Sequence, residues 1–492
     1  MSELLDVSAM TLARMIRTRE VSPREVVQRH IERIEAVNPA LNAVIAQRFE
    51  LARAEAIAAE QRVMQARDPG ELPPLLGLPY TTKEYIMATG MPISAGIWSR
   101  RDKRADRDAE TVRRLSNAGA ILVGITNVPE GGLWLETYND VYGRTVNPWD
   151  RRHTAGGSSG GEGAIVAAAG VAFGLGADVG GSIRIPAAFC GIVGHKPSGR
   201  LVPNTGFWPQ AHGEHSAYLV CGPMTRRVED VMPILRVLAG PDGVDAAMRT
   251  FELGDPSKVD LKDVTVYPLE SNGSTRVSDE NRQVVRDAAA MLAARGAKIG
   301  ELSAEKMKRA FLIWSAMMSQ GGGPSYAEIL GNGKAIKAGR ELVKLAMRRS
   351  RHTFPALVIV GLEQLAAKLP GQVEKAIADG KALQAELEAV LGPNGVMLHP
   401  PYSRPAPRHY APFFTPFDFV CTGLFNVLEF PSTVVPMGFS REGLPLSVQV
   451  IGRRGNDHLT IAVAGELERE RGGWKRAEPT WRLPEADAIA AR

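Results

Sequence analysis

Two glycine-flanked serine turns constrain this chain more than any other feature. Residues 156–186 read GGSSGGEGAIVAAAGVAFGLGADVGGSIRIP, so glycine pairs enclose Ser158 and Ser159 and another pair precedes Ser182. A helical pattern, GEGAIVAAAG, and an apolar strand pattern, VAFGLGAD, lie between the turns. Glycine allows the backbone to approach other groups closely. The stretch therefore predicts a helix and a strand bordered by tight turns that carry serine hydroxyls.

The chain around these turns alternates short apolar strands with helices, which is typical of an α/β sheet. The segment DAETVRRLSNAGAILVGITN predicts a helix that ends near Asn117 and Gly119 and leads into the strand AILVGIT. Closer to the N-terminus, Ser22 as N-cap, Pro23 at the first helical position and Glu25 predict a helix start.

The composition indicates a globular chain without a strong charge bias. The 492 residues are 44% hydrophobic and 23% charged, which is enough apolar surface for a sizeable core. A net charge of +5 is too weak to indicate nucleic-acid binding. Residues 334–351 are locally basic, with only Glu341 opposing them. We expect a solvated helix face there, with a membrane-surface or acidic-partner patch as the alternative.

Targeting and redox signals are weak. The start, MSELLDVSAM, lacks the pattern of a secretory signal, and the glycine-broken run 163–177 is too short to span a membrane. We therefore expect a cytoplasmic protein, and a homodimer is one possible oligomeric state.

The three cysteines, Cys190, Cys221 and Cys421, have no CxxC spacing, so they are expected to be buried reduced thiols rather than disulfide or zinc residues.

Two common interpretations of glycine–serine turns fail on their context. A nucleophile elbow centred on Ser159 needs a preceding strand, but NPWDRRHTAG is loop-like, and His399, His409 and His458 carry no supporting pattern. A phosphate loop needs a lysine followed by serine or threonine after the last glycine, and the three-glycine dinucleotide spacing is also missing. Neither chemistry is favoured.

The second turn has the character of an oxyanion hole. Ser182 follows two glycines, so the backbone amides of Val179, Gly180, Gly181 and Ser182 itself can converge on one point. A nucleophilic serine also needs a base. Lys83, at the end of the strand pattern LGLPYTTKEY, is a candidate because Ser–Lys pairs can replace Ser–His–Asp, provided that burial lowers the lysine pKa. A surface lysine is the alternative.

Residues 156–198 resemble the amidase signature family over its whole signature. LGLPYTTKE resembles the family's lysine strand, GPMTRRVEDV a later helix entrance, and GLPLSVQVIGRRGNDHLTIAVAGELE the C-terminal strand and helix, so the resemblance covers almost the full chain. It implies a Ser–cis-Ser–Lys triad in which Ser182 attacks, Ser158 relays the proton and Lys83 is the base.

The resemblance also assigns supporting roles. It implies a cis peptide bond between Gly157 and Ser158, and a hydroxyl on Ser159 that orients the lysine. Asp178 and Arg184 match positions with a structural role in supporting the glycine turn. No metal or organic cofactor is implied.

The implied fold is one α/β domain, a mixed twisted sheet covered by helices on both faces. An N-terminal helical collar, including residues 40–66, precedes the core, and residues 485–492 are expected to fray. The expected segments are the collar (1–66), the signature core (67–240), a mostly helical insertion on the substrate side (241–392) and the C-terminal strands and helix (393–480).

The implied activity is hydrolysis of a small-molecule carboxylic acid amide through an acyl-enzyme. GGEGA and GSIRIPAAFCGI are most similar to the fatty acid amide hydrolase branch and its soluble bacterial relatives. The apolar residues 311–318 and 410–430 either line an acyl or aryl pocket or are ordinary core. One alternative is the A subunit of a tRNA-dependent glutamine amidotransferase, although HKPSGRLVPNTGFWPQ lacks that subunit's usual tyrosine, glycine and Ser-Arg continuation. A catalytically inactive binding or scaffold protein is the other.

Overall fold

A large mixed β-sheet runs through the part of the chain that the computed structural model describes, residues 3–320, 323–366 and 370–482. The strands are β1 (Val44–Gln47), β2 (Pro79–Lys83), β3 (Ile121–Thr126), β4 (Tyr138–Asn139), β5 (Gly143–Arg144), β6 (Phe173–Asp178), β7 (Val193–Lys196), β8 (Val220–Thr225), β9 (Thr265–Pro268), β10 (Lys298–Ile299), β11 (Gly395–His399), β12 (Ser432–Phe439) and β13 (Pro445–Gly452). Apart from the small β4–β5 pair, the described strands form one eleven-stranded sheet.

The order of strands in this sheet is β1-β3-β2-β6-β8-β7-β12-β13-β11-β9-β10. The pairs β3–β2, β2–β6, β11–β9 and β9–β10 are parallel, and the other neighbours are antiparallel. The central strands β2, β3, β6, β7 and β8 are buried along their whole length, as expected for strands covered on both faces. The predicted mixed sheet is confirmed.

Helices flank this sheet and connect its strands. They are α1 (Ala9–Arg17), α2 (Pro23–Leu41), α3 (Phe49–Gln65), α4 (Glu110–Asn117), α5 (Gly160–Ala167), α6 (Arg184–Cys190), α7 (His215–Tyr218), α8 (Val231–Leu238), α9 (Asp279–Ala294), α10 (Ala310–Ser319), α11 (Tyr326–Leu330), α12 (Ala338–Ala346), α13 (Phe354–Ala366), α14 (Pro370–Leu391), α15 (Val420–Val427) and α16 (Asp457–Arg471). The predicted single α/β domain is confirmed.

Local signals for helix ends are accurate. Ser22 caps α2 by accepting from the Glu25 N–H at 3.1 Å, and Pro23 is its first residue. The helix α4 ends at Asn117 and leads into β3, as the sequence predicts. The two serine turns lead into α5 and α6.

The prediction that residues 40–66 are helical throughout is wrong. Asn42 adopts a left-handed backbone conformation with φ of 50° and ends α2, and Val44–Gln47 then pairs antiparallel with β3. Helix resumes only at Phe49. The edge of β3 offers backbone partners that local helical propensity does not reveal, and pairing with it overrides that propensity.

Helices α10 to α14 occupy most of residues 304–392, so the helical character expected there is present. In the basic segment, Val343 on α12 and Met347 just after it are exposed, and Lys344 pairs with Glu341 at 2.6 Å. No helix among the described residues is long and apolar enough to cross a membrane. The division into four segments stays a prediction, and the C-terminal residues expected to fray lie outside the described residues.

Candidate active site

Adjacent parallel strands bring the two serine turns to the lysine. Strand β2 ends at Lys83 and its neighbour β6 ends at Asp178, with Thr82 paired to Leu175. Because parallel strands end at the same edge of a sheet, the second serine turn emerges beside Lys83. The first turn, with Ser158, precedes α5, which packs on β6. The peptide bond between Gly157 and Ser158 is cis, as the resemblance implied.

The amine of Lys83 lies among oxygen atoms in the interior. Lys83 Nζ is 2.9 Å from Ser158 Oγ, 2.7 Å from Ser159 Oγ and 3.3 Å from the carbonyl oxygen of Ala177. The lysine has no exposed surface, and both serines are buried. The alternative of a surface lysine is therefore wrong, and three of the sequence-predicted residues form one hydrogen-bonded group.

Burial makes this amine a weak base. Loss of solvation lowers the pKa of Lys83 to about 7, although the negative charges of Asp178 and Glu162 oppose this change. A neutral amine has two N–H donors and one lone pair. In the structure the amine is the donor to all three oxygen atoms. An uncharged amine keeps the three contacts if it donates to Ser159 Oγ and the Ala177 carbonyl and accepts from the Ser158 hydroxyl.

Ser182 lies at the boundary between this buried group and the exterior. Its carbonyl oxygen accepts a hydrogen bond from the Ser159 N–H at 3.1 Å, which ties the two turns together. Ser182 is partly exposed, whereas Lys83 and Ser158 are buried. The backbone contact therefore places the partly exposed Ser182 next to Ser159, whose hydroxyl contacts the Lys83 amine.

The carboxylate of Asp178 organises the second turn. It accepts from the N–H groups of Gly181 at 2.7 Å and Ile183 at 3.0 Å, and it pairs with the Arg184 guanidinium at 2.9 Å. Burial opposes ionisation, but the Arg184 charge and hydrogen bonds from Arg184 and Asn426 outweigh it and hold the pKa of Asp178 below its ordinary value. The pair therefore fixes the backbone on which Ser182 sits.

One of the four amides predicted for the oxyanion hole is already engaged. The Gly181 N–H donates to Asp178, so in this structure it does not point to a substrate oxygen. Among residues 3–320, 323–366 and 370–482, no acceptor is found for the N–H groups of Gly180 and Ser182. These two, together with Val179, remain the predicted donors.

Two side chains outside the predicted set orient these amides. Trp314 Nε1 donates to the Val179 carbonyl at 3.0 Å, and Thr422 Oγ1 donates to the Gly180 carbonyl at 2.8 Å. In a trans peptide the carbonyl and the next N–H point in opposite directions. The hydrogen bond from Trp314 to the Val179 carbonyl therefore makes the Gly180 N–H, in the same peptide group, point away from the Trp314 side chain. Gly181 has φ of +123°, and a side chain there would collide with Thr422, so glycine is required.

The family model described as Amidase matches residues 25–461. The chain belongs to the amidase signature family. It is 41% identical to fatty-acid amide hydrolase 2 of Homo sapiens over 489 residues, which cover 96% of this chain and 90% of that protein. It is 30% identical to an acylamidase of Rhodococcus erythropolis over 487 residues, with 96% and 97% coverage.

A solved structure from the same family agrees. A bacterial aryl acylamidase matches with a TM-score of 0.77 at 27% identity, covering 94% of this chain and 96% of the other. Membership of the family makes this chain an amidase, an enzyme that hydrolyses amide bonds.

Two of the three histidines considered for a serine–histidine site contact backbone carbonyl oxygens elsewhere in this amidase. His399 Nδ1 contacts the Leu269 carbonyl oxygen at 2.8 Å, and His409 Nε2 contacts the Arg151 carbonyl oxygen at 2.9 Å. The nitrogen Nδ1 of His458 is buried without a hydrogen-bond partner among the described residues. The three cysteines are buried and unbridged, as predicted.

Glu162 is a second buried ionisable group that the sequence analysis did not single out. Its carboxyl group accepts from the hydroxyls of Thr81 at 2.7 Å and Thr126 at 2.8 Å, residues on β2 and β3. Burial raises its pKa to about 8, against the effect of both hydrogen bonds and of Lys83. Glu162 is the charged residue in GGEGA, which is a sequence signal, but its partners Thr81 and Thr126 are distant in the sequence.

Aromatic residues border the second turn on its outer side. Trp314 and Phe419 are 4.8 Å apart edge to face and both lie within 4 Å of the space beside the α-carbon of Gly180. Phe311 contacts Phe419 at 6.3 Å between centroids. Trp314, Phe419 and Phe311 therefore pack together beside the second turn, and an acyl or aryl pocket lined by residues 311–318 and 410–430 stays a prediction.

Proposed function

We propose that this amidase cleaves its substrate through an acyl-enzyme, with Ser182 as nucleophile, Ser158 as proton relay and Lys83 as general base. The observation that carries the proposal is the contact of a fully buried Lys83 amine with Ser158 Oγ at 2.9 Å, together with a pKa of about 7. A base with a pKa near the working pH is both deprotonated and basic enough to accept a proton.

In the proposed cycle, Lys83 takes the proton of Ser158 while Ser158 takes the proton of Ser182. The Ser182 oxygen bonds to the amide carbon, and the negative charge on the former carbonyl oxygen is stabilised by backbone N–H groups, with Gly180 as the central donor. The proton returns through Ser158 to the nitrogen, the C–N bond breaks and the amine leaves. Water then hydrolyses the ester by the same relay.

The substrate we infer is a small-molecule amide with an apolar acyl or aryl part. The aromatic side chains of Trp314, Phe419 and Phe311 beside the oxyanion turn support an apolar partner. The names of the relatives, a fatty-acid amide hydrolase and an aryl acylamidase, are consistent with such substrates. Cytoplasmic location, the absence of nucleic-acid partners and a homodimer stay predictions.

The amidotransferase alternative makes a different prediction. An A subunit would need B and C partner subunits and would release ammonia from glutamine, so copurified partners and glutaminase activity would favour it. The continuation HKPSGRLVPNTGFWPQ argues against that activity. The scaffold alternative predicts no covalent reaction at Ser182.

The test combines an amide panel with active-site labelling. We expect hydrolysis of long-chain acyl or aryl amides in preference to glutamine and peptides, and fluorophosphonate attached to Ser182 in a peptide map. Ser182→Ala should abolish both, whereas Ser116→Ala, a change at an exposed serine on α4, should leave both unchanged. Turnover by Ser182→Ala at the rate of the parent protein would refute the assignment.

A further inference from the structure

Helix α15 lies against the turn that carries Ser182. Thr422 and Asn426 are four positions apart on this helix, so they share one face, and both are fully buried. Asn426 Nδ2 donates to the Asp178 carbonyl at 2.9 Å, and Thr422 Oγ1 donates to the Gly180 carbonyl at 2.8 Å. One face of a helix therefore holds two peptide groups of the second turn.

The amide of Asn426 is a firmer hold than the hydroxyl of Thr422. The hydroxyl has one hydrogen, and it is shared because the Phe419 carbonyl also lies 2.8 Å from Thr422 Oγ1. The amide has two N–H hydrogens, which face the Asp178 carbonyl at 2.9 Å, Asp178 Oδ1 at 2.9 Å and the Tyr218 carbonyl at 3.2 Å. Asn426 therefore holds Asp178 by its backbone and by its carboxylate together.

The same amide closes a ring with Asp178 and Arg184. Arg184 Nη2 donates to Asn426 Oδ1 at 2.5 Å and to Asp178 Oδ1 at 2.9 Å. The other guanidinium nitrogens donate to Asp178 Oδ2, the Thr422 carbonyl and Gln449 Oε1. A carboxylate only accepts and a guanidinium only donates, so the amide oxygen must face Arg184 and the amide nitrogen must face Asp178. Asparagine suits this place because it offers one group of each kind.

We propose that Asn426 is a positioning residue for the oxyanion hole, and that its hold on Asp178 sets the direction of the first backbone amide of the second turn. This inference rests on the proposed function. The Asp178 carbonyl and the Val179 N–H belong to one trans peptide group, so they point in opposite directions. The contact with Asn426 therefore makes the Val179 N–H point away from α15. The next carbonyl along the turn is held by Trp314, so consecutive peptide groups each have a side-chain donor.

Asn426 also acts on the amide that is not free. Asp178 Oδ1 accepts from Asn426 and, at 2.7 Å, from the Gly181 N–H. Without the amide of Asn426, this oxygen can shift and take the Gly181 peptide with it, which changes the spacing of the amides beside Ser182. A misplacement of about 1 Å can lower an enzymatic rate about 100-fold. A residue that touches no substrate can thus control the rate.

The experiment measures labelling of Ser182 in the full-length chain by an alkyl fluorophosphonate at several concentrations. The Ser182 oxygen bonds to phosphorus, fluoride leaves, and the serine proton moves through Ser158 to Lys83. The final number of labelled sites per chain counts the folded sites. The maximal rate constant reports stabilisation of the transition state, and the half-saturating concentration reports binding of the reagent.

Asn426→Ala should lower the maximal rate constant about 10- to 100-fold and change the half-saturating concentration less than about threefold. Asn426→Asp conserves the size and keeps an oxygen for Arg184, but a carboxyl group has at most one hydrogen for Asp178 instead of two. It should lower the maximal rate constant about tenfold, and it decides the question if Asn426→Ala does not fold.

Asn147→Ala is the matched control, because Asn147 is also fully buried and makes three hydrogen bonds. Its Nδ2 donates to the carbonyls of Thr154 and Phe189, and its Oδ1 accepts from the Trp149 N–H. Every site that folds in this variant should label with the rate constant of the parent protein. A purely structural asparagine at position 426 would behave in the same way.

Two results overturn the inference. One is a maximal rate constant within about threefold of the parent value in the folded Asn426 variants, and the other is that neither variant yields any labelled site, as expected if the asparagine serves folding alone. Absence of labelling at Ser182 in the parent protein, or parent-rate labelling of Lys83→Met, would instead overturn the proposed function.

Discussion

Replacing Lys83 with methionine tests whether the amine is uncharged in the folded protein. Burial lowers its pKa from the ordinary 10.5 to about 7, so between these values the unfolded chain binds a proton that the folded chain does not. By linkage, stability rises with pH wherever the unfolded state binds more protons. The lysine therefore destabilises the fold most at and below pH 7, and this effect fades as the pH approaches 10.5.

The size of the effect follows from the two pKa values. Keeping Lys83 deprotonated costs the folded state about 4 kcal/mol at pH 7 and about 1.4 kcal/mol at pH 9.5. Methionine has a similar length and no charge, so the variant lacks this cost at both pH values. The variant also loses the contacts with Ser158 and Ser159, but that loss is the same at both. The stability of the variant relative to the parent should thus fall by about 3 kcal/mol from pH 7 to pH 9.5.

The assay is urea denaturation of parent and variant at the two pH values, followed by tryptophan fluorescence. Lys258→Met, a change at an exposed lysine, is the control and should shift the free energy of unfolding by less than about 0.5 kcal/mol at either pH. A relative stability of Lys83→Met that stays constant between the two pH values would show that the folded lysine is charged, and it would refute the argument for a neutral base.

Three further predictions concern the same site. Amide hydrolysis should require neutral Lys83, so kcat/KM should be half-maximal near pH 7 and fall about tenfold per pH unit below about pH 6; a flat profile down to about pH 5 would contradict this. Trp314→Phe removes the donor to the Val179 carbonyl and should lower kcat about tenfold or more with little change in KM. An unchanged kcat would contradict a role for Trp314 in orienting the Gly180 N–H as an oxyanion donor. Asp178→Asn leaves the buried Arg184 charge without its partner and should destabilise the chain by about 3 to 5 kcal/mol in urea denaturation, a result that a loss under about 1 kcal/mol would contradict.

The sequence predicts the serine turns well because the information is local. The glycines on both sides of Ser158 and before Ser182 indicate tight turns, and a clear helix pattern followed by a clear strand pattern lies between the two turns. The position of Lys83 follows less directly, since its strand must lie beside β6 before the lysine can reach the serines. That adjacency comes from the order of strands in the sheet, which local sequence pattern does not give; the resemblance implied the role of Lys83 without the strand order.

Contacts between distant residues are what the sequence could not supply. Trp314 and the Val179 carbonyl are 135 positions apart, and nothing in the helix pattern of α10 distinguishes an aromatic side chain that orients a peptide from one that only fills space. Glu162 is similar, because its partners Thr81 and Thr126 lie on two other strands. In both cases the chemistry depends on the packing of whole elements.

A second buried lysine shows which feature distinguishes Lys83, the proposed base. Lys196 at the end of β7 is also fully buried, and burial together with the nearby Arg184 lowers its pKa to about 7. Its amine donates to the Pro197 carbonyl at 2.8 Å. A carbonyl accepts hydrogen bonds but has no proton to pass on, whereas the Ser158 hydroxyl beside Lys83 can give one proton and take another. A lowered pKa alone therefore does not make a lysine a candidate general base, and the contact with the Ser158 hydroxyl is what favours Lys83 over Lys196 for that proposed role.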